Sequence, residues 1–233
     1  FKKMVGMSFA ENHKNIQALI AAAATRAGRN ASDVHLIAVS KTKSLELIDE
    51  ANASGQKSFG ENYVQELLPK IEARPDYEWH FIGRLQTNKV KNLVGRVAMI
   101  QSVDRLKLAQ EISDIAENQS LIQDILLQVY VGDEATKAGA SLVEIEDFYQ
   151  AALAMKGIRV RGLMSLPPLS DNESVSRGYF REIYQTFEKL KALARASSST
   201  QAFDVLSLGT SGDFEWAIQE GATHVRVGTS IFG

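Results

Sequence analysis

The chain of 233 residues contains no cysteine. That excludes disulfides, thiolate nucleophiles, iron–sulfur clusters and cysteine-ligated zinc. Histidine is scarce as well. His13, His35, His80 and His224 are scattered, with no H-E-x-x-H or comparable ligand spacing, so no metal site is expected. Neither sign of charge dominates: 26 Lys and Arg against 28 Asp and Glu leave a net charge of −2. Such a balance offers no basic field for nucleic acid or for an anionic membrane surface. No apolar run approaches the ~20 residues that a membrane span requires, and the densest, Ala18 to Ala24, reads as an alanine-rich helix face. No signal-peptide pattern opens the chain. Residue 1 is not methionine, so residues 1–6 read as a remnant or a trimmed start, with Met4 or Met7 as the native beginning. A cytoplasmic protein is the expectation.

What is present is an alternation. After an opening helix over Glu11–Ala27, strands are expected at Val34–Ser40, Lys57–Phe59, Glu78–Ile82, Val97–Gln101, Asp124–Val131, Arg159–Leu163, Ala202–Ser207 and Thr223–Val227. Helices are expected between them at Leu45–Ala53, Tyr63–Ala73, Thr87–Leu93, Arg105–Asn118, Leu142–Ala154, Ser174–Ala196 and Phe214–Glu220. Eight βα units without a linker or a composition shift predict an α/β fold of one domain over residues 1–233. The architecture expected is a (β/α)8 TIM barrel with an extra N-terminal helix. A doubly wound open sheet is the alternative. Pro167–Asn172 is expected to cap one rim, and Ser197–Gln201 to be a solvated connector on the opposite face.

The most informative residue is Lys41. The apolar, β-branched run from Val34 to Val39 reads as a buried parallel strand, and the chain then turns through Ser40-Lys41-Thr42-Lys43 into a helix. The C-terminal ends of such strands are where α/β barrels place their chemistry. A lysine desolvated there has a lowered pKa and attacks carbonyls as the neutral amine. The plainer reading is a strand-end lysine reaching for solvent.

The end of the chain carries the second signal. Leu208-Gly209-Thr210-Ser211-Gly212-Asp213 follows the seventh strand, and Gly228-Thr229-Ser230 follows the eighth. Loops in these two places commonly form a phosphate site in barrel enzymes. Glycines admit an anion to the backbone, hydroxyls donate, and a helix beginning near Ser211 presents free N–H groups. Simple capping by Ser211 is the alternative. Period-two alternation puts Val225 and Val227 toward the helices and Arg226 into the barrel, where it needs a carboxylate or a ligand acceptor. Asn62 with Gln65 fits a capping-box variant, His80 a satisfied core histidine, and Lys137 a second, solvated amine on the same rim.

These residues fall within strings that resemble the pyridoxal phosphate homeostasis proteins, single-domain relatives of the alanine racemase barrel. The matching strings are Ala38-Val39-Ser40-Lys41-Thr42-Lys43, Phe59-Gly60-Glu61-Asn62-Tyr63-Val64-Gln65-Glu66, Trp79-His80-Phe81-Ile82-Gly83, Leu85-Gln86, Asn88-Lys89, Ser102-Val103-Asp104, Gly162-Leu163-Met164, Gly221-Ala222-Thr223, Arg226-Val227-Gly228-Thr229 and Ile231-Phe232-Gly233. The resemblance implies a barrel of the alanine racemase type (fold type III among proteins that use the cofactor). It implies that Lys41 forms a Schiff base with pyridoxal 5′-phosphate (PLP), and that Ser211, Gly228 and Thr229 hold its phosphate. It also implies Arg226 facing the pyridine nitrogen and Asn62 beside the ring. Three departures stand out: Thr210 where the family has methionine, Tyr130 where it has asparagine after the fifth strand, and an end at Gly233 slightly before relatives finish.

Three functions compete. The resemblance implies a cofactor-holding protein of vitamin B6 homeostasis that buffers PLP or delivers it to PLP-requiring apo-enzymes without strong catalysis of its own; a monomer is expected, since the domain that gives the racemase dimer its reason for pairing is absent. A PLP-dependent racemase or lyase is the alternative, although the racemase's second acid–base tyrosine comes from a further domain for which this chain has no room. A cofactor-free barrel with a Schiff-base lysine is the third.

Overall fold

The computed structural model describes residues 8–132, 138–168, 170–196 and 202–233. Lys137, the connector at Ser197–Gln201 and the opening residues 1–6 lie outside them. The strands are β1 (His35–Val39), β2 (Ser58–Glu61), β3 (Glu78–Phe81), β4 (Met99–Val103), β5 (Gln123–Tyr130), the two-residue β6 (Ala140–Ser141), β7 (Ile158–Ser165), β8 (Val205–Ser207) and β9 (His224–Val227). All pairings are parallel, in the order β4-β3-β2-β1-β9-β8-β7-β5-β6, and a β4–β5 pairing closes the ring. Eight strands therefore form a closed (β/α)8 barrel, with β6 beside β5 outside the ring.

The helices are α1 (Phe9–Arg26), α2 (Leu45–Ala53), α3 (Val64–Ala73), α4 (Leu106–Asn118), α5 (Ile145–Leu153), α6 (Glu173–Ala196), α7 (Phe214–Gln219) and α8 (Thr229–Phe232). Their apolar stripes explain why they wrap the barrel. In α4, Leu108, Ala109, Ile112 and Ala116 recur on one face and are fully buried. Strand residues of alternate parity, such as Val225 and Val227, meet those stripes in the main core. Inside the ring Met99, Leu126, Met164 and Val205 form a separate apolar layer contributed by four strands.

The opening helix braces the end of the barrel that matters below. Ser8 and Glu11 cap α1 reciprocally. Asn12 Nδ2 then donates to the Ile231 carbonyl of α8 at 3.3 Å; past the helix end, at the opposite face of the barrel, Arg29 NH1 donates to the carbonyls of Ile218 (2.9 Å) and Ala222 (2.8 Å).

Several boundaries differ from expectation. The segment expected as a helix at Thr87–Leu93 is a 3-10 helix over Thr87–Asn92. The second strand runs on to Glu61, the fourth begins two residues late at Met99, and the sixth barrel strand extends to Ser165. Strand β8 is cut to three residues, and α8 was not foreseen. The strand shifts sit at element ends, where partner strands rather than local pattern decide how far pairing runs.

Candidate functional site

Strand β1 ends at Val39, and the turn that follows is fixed from beneath. Ser40 Oγ donates to Glu61 Oε1 (2.6 Å), Lys70 Nζ donates to the same oxygen (2.7 Å), and it also donates to the Ser40 carbonyl (2.9 Å). Glu61 is fully buried, and burial raises its pKa against the opposing pull of Lys70 and Ser40. Its second oxygen, Oε2, has no partner. Above this anchor Thr42 takes φ +62°, a conformation rare for a β-branched residue, held by its N–H to Glu66 Oε2 at 2.8 Å.

Lys41 projects from this strained turn and makes no hydrogen bond or ion pair. The expectation that it is desolvated is not met. Lys41 is exposed, because it lies two residues past the strand end and lines an open cavity. Lys43 is different: its Nζ donates to the Gly233 carbonyl (2.9 Å) and lies 5.8 Å from the Phe232 ring centroid. Of the two lysines in the turn, only Lys41 presents a free amine.

Arg226 points into the barrel as alternation required and is 3% exposed. No carboxylate pairs with it. Its guanidinium donates to Ser207 Oγ and to the Ser165 carbonyl (2.8 Å), both neutral acceptors. Burial lowers its pKa to about 10, with Asp213 opposing the shift, so it stays cationic at neutral pH. A guanidinium carries five N–H donors, so this one retains donors for a ligand.

The two terminal loops meet next to it. Gly209 has φ +84°, and a Cβ there would lie 2.7 Å from the Ala217 methyl and 2.8 Å from Phe214 Cα. Glycine is therefore required for the turn into α7. That helix begins at Phe214, where the expected span Phe214–Glu220 put its start, with Asp213 as its cap position. Ser211 does not cap it. Instead the Ser211 hydroxyl accepts the Gly228 N–H at 3.1 Å, joining the two loops directly. The Thr210 hydroxyl is engaged by Asp213 Oδ1 (3.1 Å) and is not free for an anion.

Lys41, Asn62, Ser211, Arg226, Gly228 and Thr229 all line one cavity of about 280 Å³, together with Val39, Ile82, Leu166 and Thr210. Asn62 does not cap α3. The cap position is Tyr63, with no side-chain capping bond, and the buried Asn62 Oδ1 has no partner. Its position is set by Gly83, where a Cβ would fall 2.0 Å from the Asn62 carbonyl oxygen; only glycine allows the two loops to meet. His80 and Tyr130 are not in the lining. His80 is buried, bonded to Glu78 Oε1 (2.8 Å) and to Gln101 Nε2 (3.1 Å), as a satisfied core histidine should be.

Ser40, Glu61 and Lys70 were missed as a unit. Glu61 lay in plain sight at the end of an apolar strand, where a buried carboxylate demands a cation. Nothing local pointed to Lys70 as that cation.

The fold and this cavity define a barrel of the alanine racemase class: the family model for the alanine racemase N-terminal domain matches residues 12–233. More narrowly, the chain belongs to the pyridoxal phosphate homeostasis protein family. It is 42% identical over 229 residues to the protein of that name from Aquifex aeolicus, covering 97% of this chain and 98% of the relative. The Escherichia coli K12 protein of the same name is 38% identical over 230 residues, covering 96% and 95%. Among solved structures, PipY of Synechococcus elongatus with PLP bound superposes with a TM-score of 0.82 at 31% identity, covering 97% of this chain and 100% of that one. An alanine racemase from Clostridium difficile shares the fold at 12% identity and a TM-score of 0.69, over 97% of this chain and 55% of that one.

Proposed function

We propose that this chain binds PLP in the rim cavity through Lys41 and serves vitamin B6 homeostasis by holding and releasing the cofactor. One observation carries the reading: a partnerless amine and a buried guanidinium with no carboxylate line the same cavity. An aromatic aldehyde bearing a ring nitrogen and a phosphate needs those two groups and an anion cradle, so the residues fit it. The membership of the family, and the relative whose structure has PLP bound, support the same reading.

Each residue then has a role. The Lys41 amine would hold the cofactor's aldehyde carbon, its nitrogen replacing the carbonyl oxygen, which leaves as water. Arg226, cationic at neutral pH, would offer the pyridine nitrogen an N–H donor and oppose its protonation. Ser211, Gly228 and Thr229 would cradle the phosphate, the Ser211 hydroxyl donating its own proton to it while it accepts the Gly228 N–H, beside the Thr229 hydroxyl and N–H. Asn62 Oδ1 is left to meet the ring. When bound, PLP supplies an electrophilic carbon and an electron-withdrawing ring.

The lining also argues for holding over turnover. Among the described residues that line the cavity, Lys41 and Arg226 are the ionisable ones. General acid–base catalysis needs a group within hydrogen-bond reach of each proton it moves. Lys41 serves one side, and no second such group is present in that lining. The expected recipients of released cofactor are PLP-requiring apo-enzymes, met by this chain as a monomer in the cytoplasm.

The test is a visible-range absorbance titration of the purified protein with PLP, repeated on Lys41→Ala. A new band above that of free PLP, saturating at one equivalent and absent in the variant, is expected. A spectrum unchanged from free PLP in the unsubstituted chain would refute the reading.

A further inference from the structure

A second cavity opens on the same rim, on the far side of Asn62. Its volume is about 920 Å³, and Asn62 lines both it and the first cavity. Three cations line it: Arg84, Lys89 and Arg105. The carboxylate in the lining, Asp104, is already taken by Arg105, which also donates to Thr87 Oγ1 at 3.1 Å. The side chains of Arg84 and Lys89 make no hydrogen bond or ion pair, so two positive charges face the cavity uncompensated.

We propose that this cavity binds a second ligand, a phosphate monoester held non-covalently between Arg84 and Lys89. A phosphate monoester is close to dianionic at neutral pH, which matches the two free cations. Arginine grips such a group through paired N–H donors and lysine as a point charge. The volume far exceeds what inorganic phosphate fills and lies within the range of ligand sites for organic molecules. The floor suits the organic part, since the buried Phe81 and Leu85 side chains contribute to the lining. The ester arrives either as a second B6 phosphate or as a phosphate ester unrelated to the cofactor.

The position gives the site a consequence. Asn62 is wedged by Gly83 between the two cavities, so a ligand in the second rests against the wall of the first.

The proposal is tested on the full chain after the Lys41 link to PLP has been reduced with borohydride, which keeps the first cavity filled. Formation of that adduct is read first, by absorbance, and reports on the proposed function alone. If no adduct forms, the same titrations are run on the untreated chain, and the second site is judged independently. Equilibrium dialysis is then performed with pyridoxine 5′-phosphate, glycerol 3-phosphate and pyridoxine. One equivalent of a phosphate ester should bind, pyridoxine much more weakly, and affinity should fall about tenfold in each of Arg84→Ala and Lys89→Ala, the loss of one charged hydrogen bond. Tighter binding of pyridoxine 5′-phosphate than of glycerol 3-phosphate identifies a B6 ligand; equal binding identifies a general ester site. No binding of either ester at millimolar concentration overturns the proposal. So does binding unchanged in both variants, or binding of pyridoxine equal to that of its phosphate.

Discussion

The two ends of the barrel treat charge in opposite ways. At the N-terminal floor a cavity of about 410 Å³ is lined by Asp33, Glu78, Asp124, Asp204, Arg161 and three of the four histidines. Most of its charges are closed on one another. Arg159 grips Asp124 through Nε (2.6 Å) and NH2 (2.9 Å), and Arg161 spans Asp124 (3.0 Å) and Asp204 (2.8 Å). Glu78 holds His80, and this contact lowers the Glu78 pKa to about 2. At the C-terminal rim Lys41, Arg84 and Lys89 have no partner, and Arg226 has only neutral ones. Charge closed on itself supports the fold; charge left open is available to a ligand. The contrast matches the general division of labour in these barrels, with chemistry at the C-terminal ends of the strands.

Among the described residues the rim has one buried closed pair, Lys70 with Glu61, and breaking it should produce the largest effect. The two side chains are 9% and 0% exposed. Lys70→Met should cost about 3–5 kcal/mol of stability, since it strands a buried carboxylate. Adding Glu61→Leu should restore most of that loss, because replacing both members of a buried pair with apolar groups is close to neutral. Urea unfolding of the single and double variants measures both. A single-variant loss below about 1 kcal/mol would place the pair among ordinary surface contacts.

Next is the wall between the rim cavities. Gly83→Ala introduces a Cβ into the Asn62 backbone. The expected loss is about 2–3 kcal/mol, or roughly 5–10 °C in Tm for a chain of this size. Cofactor absorbance should weaken with it. The same substitution at Gly178, where a Cβ meets nothing within 4 Å, should leave both Tm and absorbance unharmed.

A smaller effect is expected at the phosphate cradle. Ser211→Ala should weaken PLP binding by about 1–3 kcal/mol, a lost charge-assisted hydrogen bond among several retained backbone donors. Titration of the absorbance band reads the change. Unchanged affinity for both PLP and inorganic phosphate would count against this cradle.

The most gradual effect is that of acid, and it should report on the floor. Burial lowers His224 to about 3 from 6.5, so the unfolded chain takes up that proton first. Stability from His224 is present above about pH 6.5 and drains away as pH falls toward 3. Glu78 acts in the same direction lower down: its contribution is present above pH 4.5 and is lost as pH falls through about 2. Glu61 at the rim has the opposite sign, since its raised pKa favours the fold at low pH and disfavours it as pH rises. Urea midpoints should therefore fall on acidification below pH 6.5, and His224→Gln should flatten the slope between 6.5 and 4.5. An unaltered slope in that variant would remove the floor histidine from the account.

Most of the architecture was legible because it is local. Runs such as Leu36-Ile37-Ala38 and stripes such as Leu108, Ala109, Ile112 and Ala116 declare strand and helix within a few residues. Alternation alone turned Arg226 inward. What escaped depends on partners distant in sequence: Lys70 beneath Ser40, Gly83 against Asn62, and Gly228 bonded to Ser211. The exposure of Lys41 escaped for the same reason. A strand's register against its neighbours, not its own composition, decides how far beyond the sheet the next residue stands.

The central claim is that the open amine of the rim, Lys41, is the attachment point for PLP. The direct measurement is borohydride reduction of the PLP-treated chain, followed by peptide mapping of the adduct. One principal adduct is expected, on the peptide carrying Lys41. A principal adduct on Lys43, Lys89 or Lys137 would contradict it.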